Sequence, residues 1–353
     1  MHSRVLVTGH LGYLGSVFAP RFAAAGHSVT GLDSGYYEDR LLYAPEAEGP
    51  AIGAIRKDIR DVEAADLEGY DAVVHLAALS NDPVGNLDPR WTAEINTAAA
   101  ARLAWLAREA GVSRFLFSSS CIMYGSPAAP EVDEDSPVDP GTAYARSKVE
   151  AEREIARLAT ARFSPVFLRN GTIYGPSPRM RFDTVANQLT AAALAVGTAS
   201  IHGDGSPWRP VVHIEDAAAA FLAALEAPRE ALHCQAVNAG SDSDNRTVRE
   251  IAGLAAAAVG ARVETLALPD ADRRSYRTRF AKIGRLLPGF RPRFTLEEGI
   301  PALARTLAGR LGGSIRSRFE GGEFVRLRAL GALLESGRLD ATLRFRQARR
   351  EAA

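Results

Sequence analysis

Gly9, Gly12 and Gly15 stand three residues apart, between a short β-branched run and an alanine-rich stretch. No other feature restricts the fold as much. A turn with that spacing reverses a strand tightly into a helix, lets backbone approach a pyrophosphate, and brings helix close against strand. The flanks agree: Arg4–Thr8 reads as a strand, Leu14–Ala25 as a helix, and Ser28–Asp33 as a second strand ending in an acid. A carboxylate at Asp33 suits a ribose 2′-hydroxyl and repels a 2′-phosphate, so a dinucleotide held here is expected to be NAD rather than NADP.

The alternation continues. Ala72–Leu76 reads as a buried strand, Thr92–Ala110 as a helix, Phe115–Ser118 as a strand, Tyr144–Thr160 as a helix and Pro165–Arg169 as a strand. That order implies a parallel sheet covered on both faces, with ligand beyond the carboxyl ends of the strands. The expected fold is α/β: a Rossmann-like doubly wound parallel sheet, a smaller α/β substrate lobe and a helical C-terminal extension. Residues 1–175 are assigned to the NAD-binding part, with 211–239 returning to it through Asp216–Glu226 and a strand near Gln235–Asn238. Residues 176–210 and 240–310 are assigned to the substrate lobe, and 311–353 to the extension. A basic helical tail is expected from about Pro301; Leu327, Leu330, Leu333 and Leu334 recur at helical spacing and should pack on the body or on a second subunit.

Composition narrows the function. Lys and Arg number 42, as do Asp and Glu, so no net field draws nucleic acid or an anionic membrane. Cys121 and Cys234 are too few for a disulfide framework or a thiolate cluster, and no metal is expected. No apolar stretch approaches the ~20 residues of a membrane-spanning helix. The chain runs from Met1 into a strand without a cleavable leader, so the expected location is cytoplasmic. Basic residues are nearly all arginine. Lys57, Lys148 and Lys282 are the only lysines, so one at a motif position carries weight.

Lys148 is such a residue. In Tyr144-Ala145-Arg146-Ser147-Lys148 a phenol and an amine share one face of a predicted helix, one turn apart. A phenol titrates near ~10 unaided, and a nearby ammonium together with a positive nicotinamide ring favours the phenolate. That makes Tyr144 a usable base. Ser118, Ser119 and Ser120 put hydroxyls at the end of the preceding strand, where one can orient the proton of a substrate alcohol. His75-Leu76-Ala77-Ala78 closes another strand, with His75 structural and small alanines leaving room for a flat cofactor. Asp58, after a third apolar run, reads either as an acid that reaches an adenine edge or as a solvated loop acid.

Together these motifs resemble the extended short-chain dehydrogenase/reductase (NAD-dependent epimerase/dehydratase) family, most of all its UDP-glucose 4-epimerase-type members, over most of the chain. The resemblance implies NAD contacts at Gly9, Leu11, Gly12, Tyr13, Leu14, Gly15, Asp33, Asp58, Ile59, Leu76, Ala77, Ala78, Asn96, Tyr144 and Lys148. It implies Tyr144 as base, Lys148 as its partner and Ser120 as catalytic hydroxyl, because this serine stands four residues before Tyr124-Gly125. Implied substrate contacts are Ser80, Ser120, Asn170, Asn187, Arg209 and Arg274, with Arg273 beside the last; the arginines would pair with a diphosphate. The implied partner is a nucleotide diphosphate sugar, with no nucleic acid and no membrane, and the implied assembly is a homodimer.

The chain departs from the family twice. Its 4,6-dehydratases carry an acidic pair directly after the catalytic hydroxyl, where this sequence has Cys121 and Ile122. The epimerases' tyrosine–phenylalanine–asparagine after Leu-Arg is replaced by Asn170-Gly171-Thr172. Cys121 reads as a small buried thiol, and Ser177–Arg181 as a stretch at the mouth near substrate. The leading expectation is an NAD-dependent nucleotide-sugar 4-epimerase. A ketoreductase, dehydrogenase or dehydratase on the same scaffold is the alternative. A non-catalytic NAD-sensing protein is a further one, against which Ser120, Tyr144 and Lys148 argue.

Overall fold

The computed structural model describes residues 2–44, 50–80, 82–127, 129, 131–267 and 274–346. Seven parallel strands form the central sheet: β1 Arg4–Thr8, β2 Ser28–Asp33, β3 Gly53–Arg56, β4 Ala72–His75, β5 Arg114–Ser120, β7 Ser164–Asn170 and β11 Gln235–Ala239. Their order is β11-β7-β5-β4-β1-β2-β3. Three smaller sheets complete the set. β8 Thr172–Tyr174, β10 Trp208–His213 and β12 Asn245–Thr247 form one, β9 Thr198–His202 pairs with β13 Arg262–Leu266, and β6 Glu131–Val132 pairs with β14 Arg277–Thr278.

The central strands read as continuous apolar runs because both faces are covered. On one face Val5, Val7, Leu116 and Leu168 pack with Phe18, Phe22 and Phe221 from helices Gly15–Ala24 and Ile214–Glu226. On the other, Leu6, Phe115, Phe117 and Phe167 pack with Leu103, Ala107, Ala151 and Ile155 from helices Ala99–Glu109 and Ala143–Ala156. Strand order reverses between β1 and β4, which opens a crevice beyond their carboxyl ends. β11 and the helix before it join the main body, whereas residues 211–213 pair with β8 in the small sheet.

Two helices differ from their sequence expectation. The stretch expected as one helix over Thr92–Ala110 is an α-turn at Pro89–Thr92, a π-turn at Ala93–Ala98 and an α-helix at Ala99–Glu109. Such bulges cluster at functional sites, and this one turns Asn96 inward. The second begins at Leu296 rather than near Pro301, because Thr295 and Glu298 form a capping box ahead of the proline. The tail packs on the body: Leu330 and Leu333 of helix Arg326–Glu335, then Leu339 and Leu343, enter the same core as Phe115. Among the described residues no helix is long and apolar enough to cross a membrane.

Candidate active site

The glycine turn comes directly after β1. Gly9 has φ +76°, and a Cβ there would stand 2.7 Å from the Ala77 amide nitrogen; one on Gly15 would press into the Gly9 carbonyl. The turn is therefore held tight against the end of β4. Asp33 is tied to it: its carboxylate accepts from Leu11 N at 3.0 Å and from Gly35 N at 2.7 Å. Leu11 thus contributes a backbone N–H that fixes Asp33, without lining the cleft. Gly9, Gly12, Tyr13, Leu14, Gly15, Asp33, Asp58, Ile59, Leu76, Ala77 and Ala78 line one half of a cleft of about 420 Å³. These residues fit a dinucleotide: a bare backbone cradle, an acid for a ribose, and alanines that leave room for a flat ring.

The other half holds the reactive groups. Thr142 caps helix Ala143–Ala156, its hydroxyl accepting from Ala145 N at 3.1 Å, and so fixes where Tyr144 and Lys148 face. Lys148 Nζ donates to the Ser118 carbonyl at 2.7 Å and lies 5.6 Å from the centre of the Tyr144 ring. Ser120, at the end of β5, lines the same cleft as Tyr144. Burial pushes the Tyr144 phenol up to about 12, against the lowering pull of Arg181 and Ser120. Burial also pulls Lys148 down to about 8, while Glu152 opposes it. A phenol so placed needs further positive charge nearby to act as a base at neutral pH.

Three expected residues support the site from behind. His75 bonds Thr8 Oγ1 through Nδ1 at 2.7 Å, and burial pulls it down to about 3, so it is neutral and structural. Asn96 is 2% exposed and does not line the cleft. Its Oδ1 accepts from Leu79 N at 2.8 Å, and its Nδ2 donates to Leu79 O at 3.0 Å and Ser147 Oγ at 3.2 Å. These bonds make Asn96 a brace between the loop after β4 and the Tyr144 helix. Asn187 likewise stands behind the cleft lining, as a brace. It accepts from Gly175 N at 2.9 Å and donates to Tyr13 Oη and Arg181 O, each at 3.1 Å.

Ser80, Asn170, Arg209 and Arg274 do line the cleft. Arg274 pairs with Asp82 at 2.8 Å, and Arg209 donates to the carbonyls of Trp208 and Arg274. Arg273 lies outside the described residues. Asn170 Nδ2 donates to Ser119 O at 3.0 Å and Ser118 Oγ at 3.2 Å, while its Oδ1 and the Ser119 hydroxyl are buried without a partner. Orphaned polar atoms in a cleft are what a ligand completes. Cys121 is 1% exposed, donates to Arg169 O at 3.2 Å, is pushed up to about 12 by burial, and stays off the cleft that Ile122 lines.

Sequence reasoning missed several lining residues: Tyr36, Tyr37, Asp82, Asp183 and Arg326. Arg181 was foreseen only as part of a stretch at the mouth. It pairs with Asp183 at 2.6 Å and donates to Ser80 Oγ at 3.0 Å, which brings a buried guanidinium near Tyr144.

Comparisons with known proteins agree with this geometry. The model of the NAD dependent epimerase/dehydratase family matches residues 5–240. A UDP-glucose 4-epimerase from Mycolicibacterium smegmatis is 33% identical over 84% of this chain and 96% of its own length. Among solved structures, MoeE5 in complex with UDP-glucuronic acid and NAD superposes with a TM-score of 0.77 at 27% identity, covering 87% of this chain and 100% of its own. DesIV, a dTDP-glucose 4,6-dehydratase from Streptomyces venezuelae with NAD bound, gives 0.77 at 27% identity, covering 88% and 98%.

Proposed function

The chain belongs to the NAD dependent epimerase/dehydratase family and is an NAD-dependent enzyme; on that premise we propose that it interconverts the C4 epimers of a nucleotide diphosphate sugar. The observation that carries the reading lies at the two positions after Ser120: a buried thiol, Cys121, and an apolar Ile122, with no carboxylate at either place. Dehydration needs a proton removed from carbon and a hydroxyl expelled, hence an acid and a base beside the hydroxyl-orienting residue. Epimerisation needs one proton acceptor at the C4 hydroxyl and a reversible hydride acceptor.

NAD held along the glycine turn and Asp33 would supply that reversible hydride acceptor at C4. The protein's own residues manage the proton. Tyr144 takes it from the C4 oxygen, keeps it while C4 is a ketone, and gives it back when the alcohol reforms. Ser120, beside Tyr144 in the cleft, orients the hydroxyl, and Lys148 adds the positive field that makes the phenolate accessible. Gly9, Gly12, Gly15, Asp33 and Asp58 hold the cofactor, Arg209 and Arg274 the substrate diphosphate, and Ser80 and Asn170 the sugar. The likeness to a UDP-glucose 4-epimerase and to MoeE5 with UDP-glucuronic acid supports a UDP-linked sugar.

A second reading, dehydration, draws on Asp82 and Asp183, which line the same cleft. Arg274 and Arg181 engage these acids, which leaves neither as a ready base. We also assign residues 1–175 with 211–239 to the cofactor half and 176–210 with 240–310 to the substrate half. A homodimer would form through helices Ala99–Glu109 and Ala143–Ala156, where Trp105 is half exposed. Product analysis with a panel of UDP-sugars, with and without added NAD, tests the reaction. An epimerase yields the C4 epimer without consuming cofactor.

A further inference from the structure

Helix Arg326–Glu335 brings its first side chain into the cofactor cleft. Arg326 is 3% exposed and lines that cleft. Its guanidinium lies 4.2 Å from the centre of the Tyr37 ring and donates to Arg179 O at 2.8 Å. Its backbone N–H goes to Asp183 Oδ2 at 3.1 Å, but that carboxylate forms its ion pair with Arg181. The Asp183 carboxylate also acts on the Arg326 guanidinium, but it is shared with Arg181, and among the described residues no carboxylate is in ion-pair contact with that guanidinium. Two buried guanidinium groups around one carboxylate leave a net positive charge that an arginine cannot shed by titrating.

The surroundings say where an anion belongs. Tyr37 lies just past the strand that ends at Asp33, and the Tyr13 phenol of the glycine turn feels both Arg181 and Arg326. The guanidinium therefore faces the gap between the glycine turn and Asp33. A dinucleotide with its adenosine ribose at Asp33 and its nicotinamide near Tyr144 carries its diphosphate across that gap. We infer that Arg326 is an anion-binding residue of the cofactor cleft, closing on the NAD pyrophosphate from the side opposite the glycine turn.

The C-terminal segment is built to hold that arginine in place. Leu330, Leu333, Leu339 and Leu343 anchor it in the core. Arg60 Nη1 donates to Thr342 O at 2.7 Å, Trp91 Nε1 to Ala341 O at 2.9 Å, and Tyr36 Oη to the Leu343 carbonyl. These ties join the segment to the wall that carries Tyr36 and Asp58. The inference rests on NAD lying over the glycine turn, not on which sugar is turned over. A failed epimerase assay would therefore leave it standing.

Arg326→Met keeps the length and apolar body of the side chain, and Arg326→Lys keeps the charge. Calorimetric titration of cofactor-stripped protein with NAD, ADP-ribose, adenosine and UDP separates the possibilities. One charge-assisted contact corresponds to about tenfold in affinity or more. Arg326→Met should lose that factor for NAD and ADP-ribose, keep adenosine within about twofold, and purify with less NAD, with Arg326→Lys in between. Unchanged ADP-ribose affinity would overturn the inference. So would an equal loss for adenosine, which means a collapsed cleft, or a loss confined to UDP, which means the anion is the substrate's.

Discussion

Lys148 faces the Tyr144 ring at 5.6 Å but gives its hydrogen bond to the Ser118 carbonyl. The lysine thus ties the Tyr144 helix to the end of the strand that carries Ser120. Tyr144→Phe removes the proton acceptor and little volume, so turnover should fall ~100-fold or more. NAD retention, read from the cofactor released on denaturation, should stay near wild type. Near-normal turnover in the variant would remove Tyr144 from the role of base.

Asp33 accepts the N–H groups of Leu11 and Gly35, and a carboxylate at that strand end would repel a 2′-phosphate. The wild-type protein should bind NAD well ahead of NADP. Asp33→Ser should narrow that preference by about tenfold or more, since one like-charge contact is removed. Titration of both dinucleotides checks this, and an unchanged ratio would show that discrimination lies elsewhere.

Cys121 is next to Ser120 in the chain yet is packed away from the cleft. Cys121→Ala should cost about 1–2 kcal/mol of stability, as for loss of a small buried group, with turnover within a few-fold. A variant of normal stability with turnover down ~100-fold would make the thiol an acid or base instead.

The fold was legible, and the cleft that holds Ser120, Tyr144 and Lys148 could be anticipated, because both rest on local rules: glycine spacing at a strand–helix turn, an acid at the next strand end, and a tyrosine and lysine one helical turn apart. The supporting residues were not. Asn96 and Asn187 stand where a motif suggests a ligand, but their amides satisfy the backbone groups of Leu79, Gly175 and Arg181, a choice set by tertiary contacts. Arg181 and Arg326 share the cleft although they are far apart in the chain, and an arginine-rich tail looks like any solvated basic helix until its leucines are seen in the core. The π-turn at Ala93–Ala98 carries no sequence signal we could name.

Burial holds His75 at about 3, well below the ordinary value of 6.5. The unfolded chain takes up a proton there below pH 6.5 while the folded one does not, so this contribution is complete above 6.5 and is lost as pH falls toward 3. Between pH 7 and 5 the loss amounts to about 2 kcal/mol. Denaturant unfolding at both pH values should show wild type losing that much more than His75→Gln. Equal losses would mean that His75 titrates alike in both states.

A 4-epimerase of this kind oxidises C4 and reduces it again with no proton exchanged at carbon. Incubating the purified enzyme with UDP-sugars in D2O without added NAD, then analysing the product by mass spectrometry and NMR, tests it directly. The expected product is a C4 epimer of unchanged mass with no deuterium at carbon. A product lighter by one water, or one carrying solvent deuterium on carbon, would contradict it.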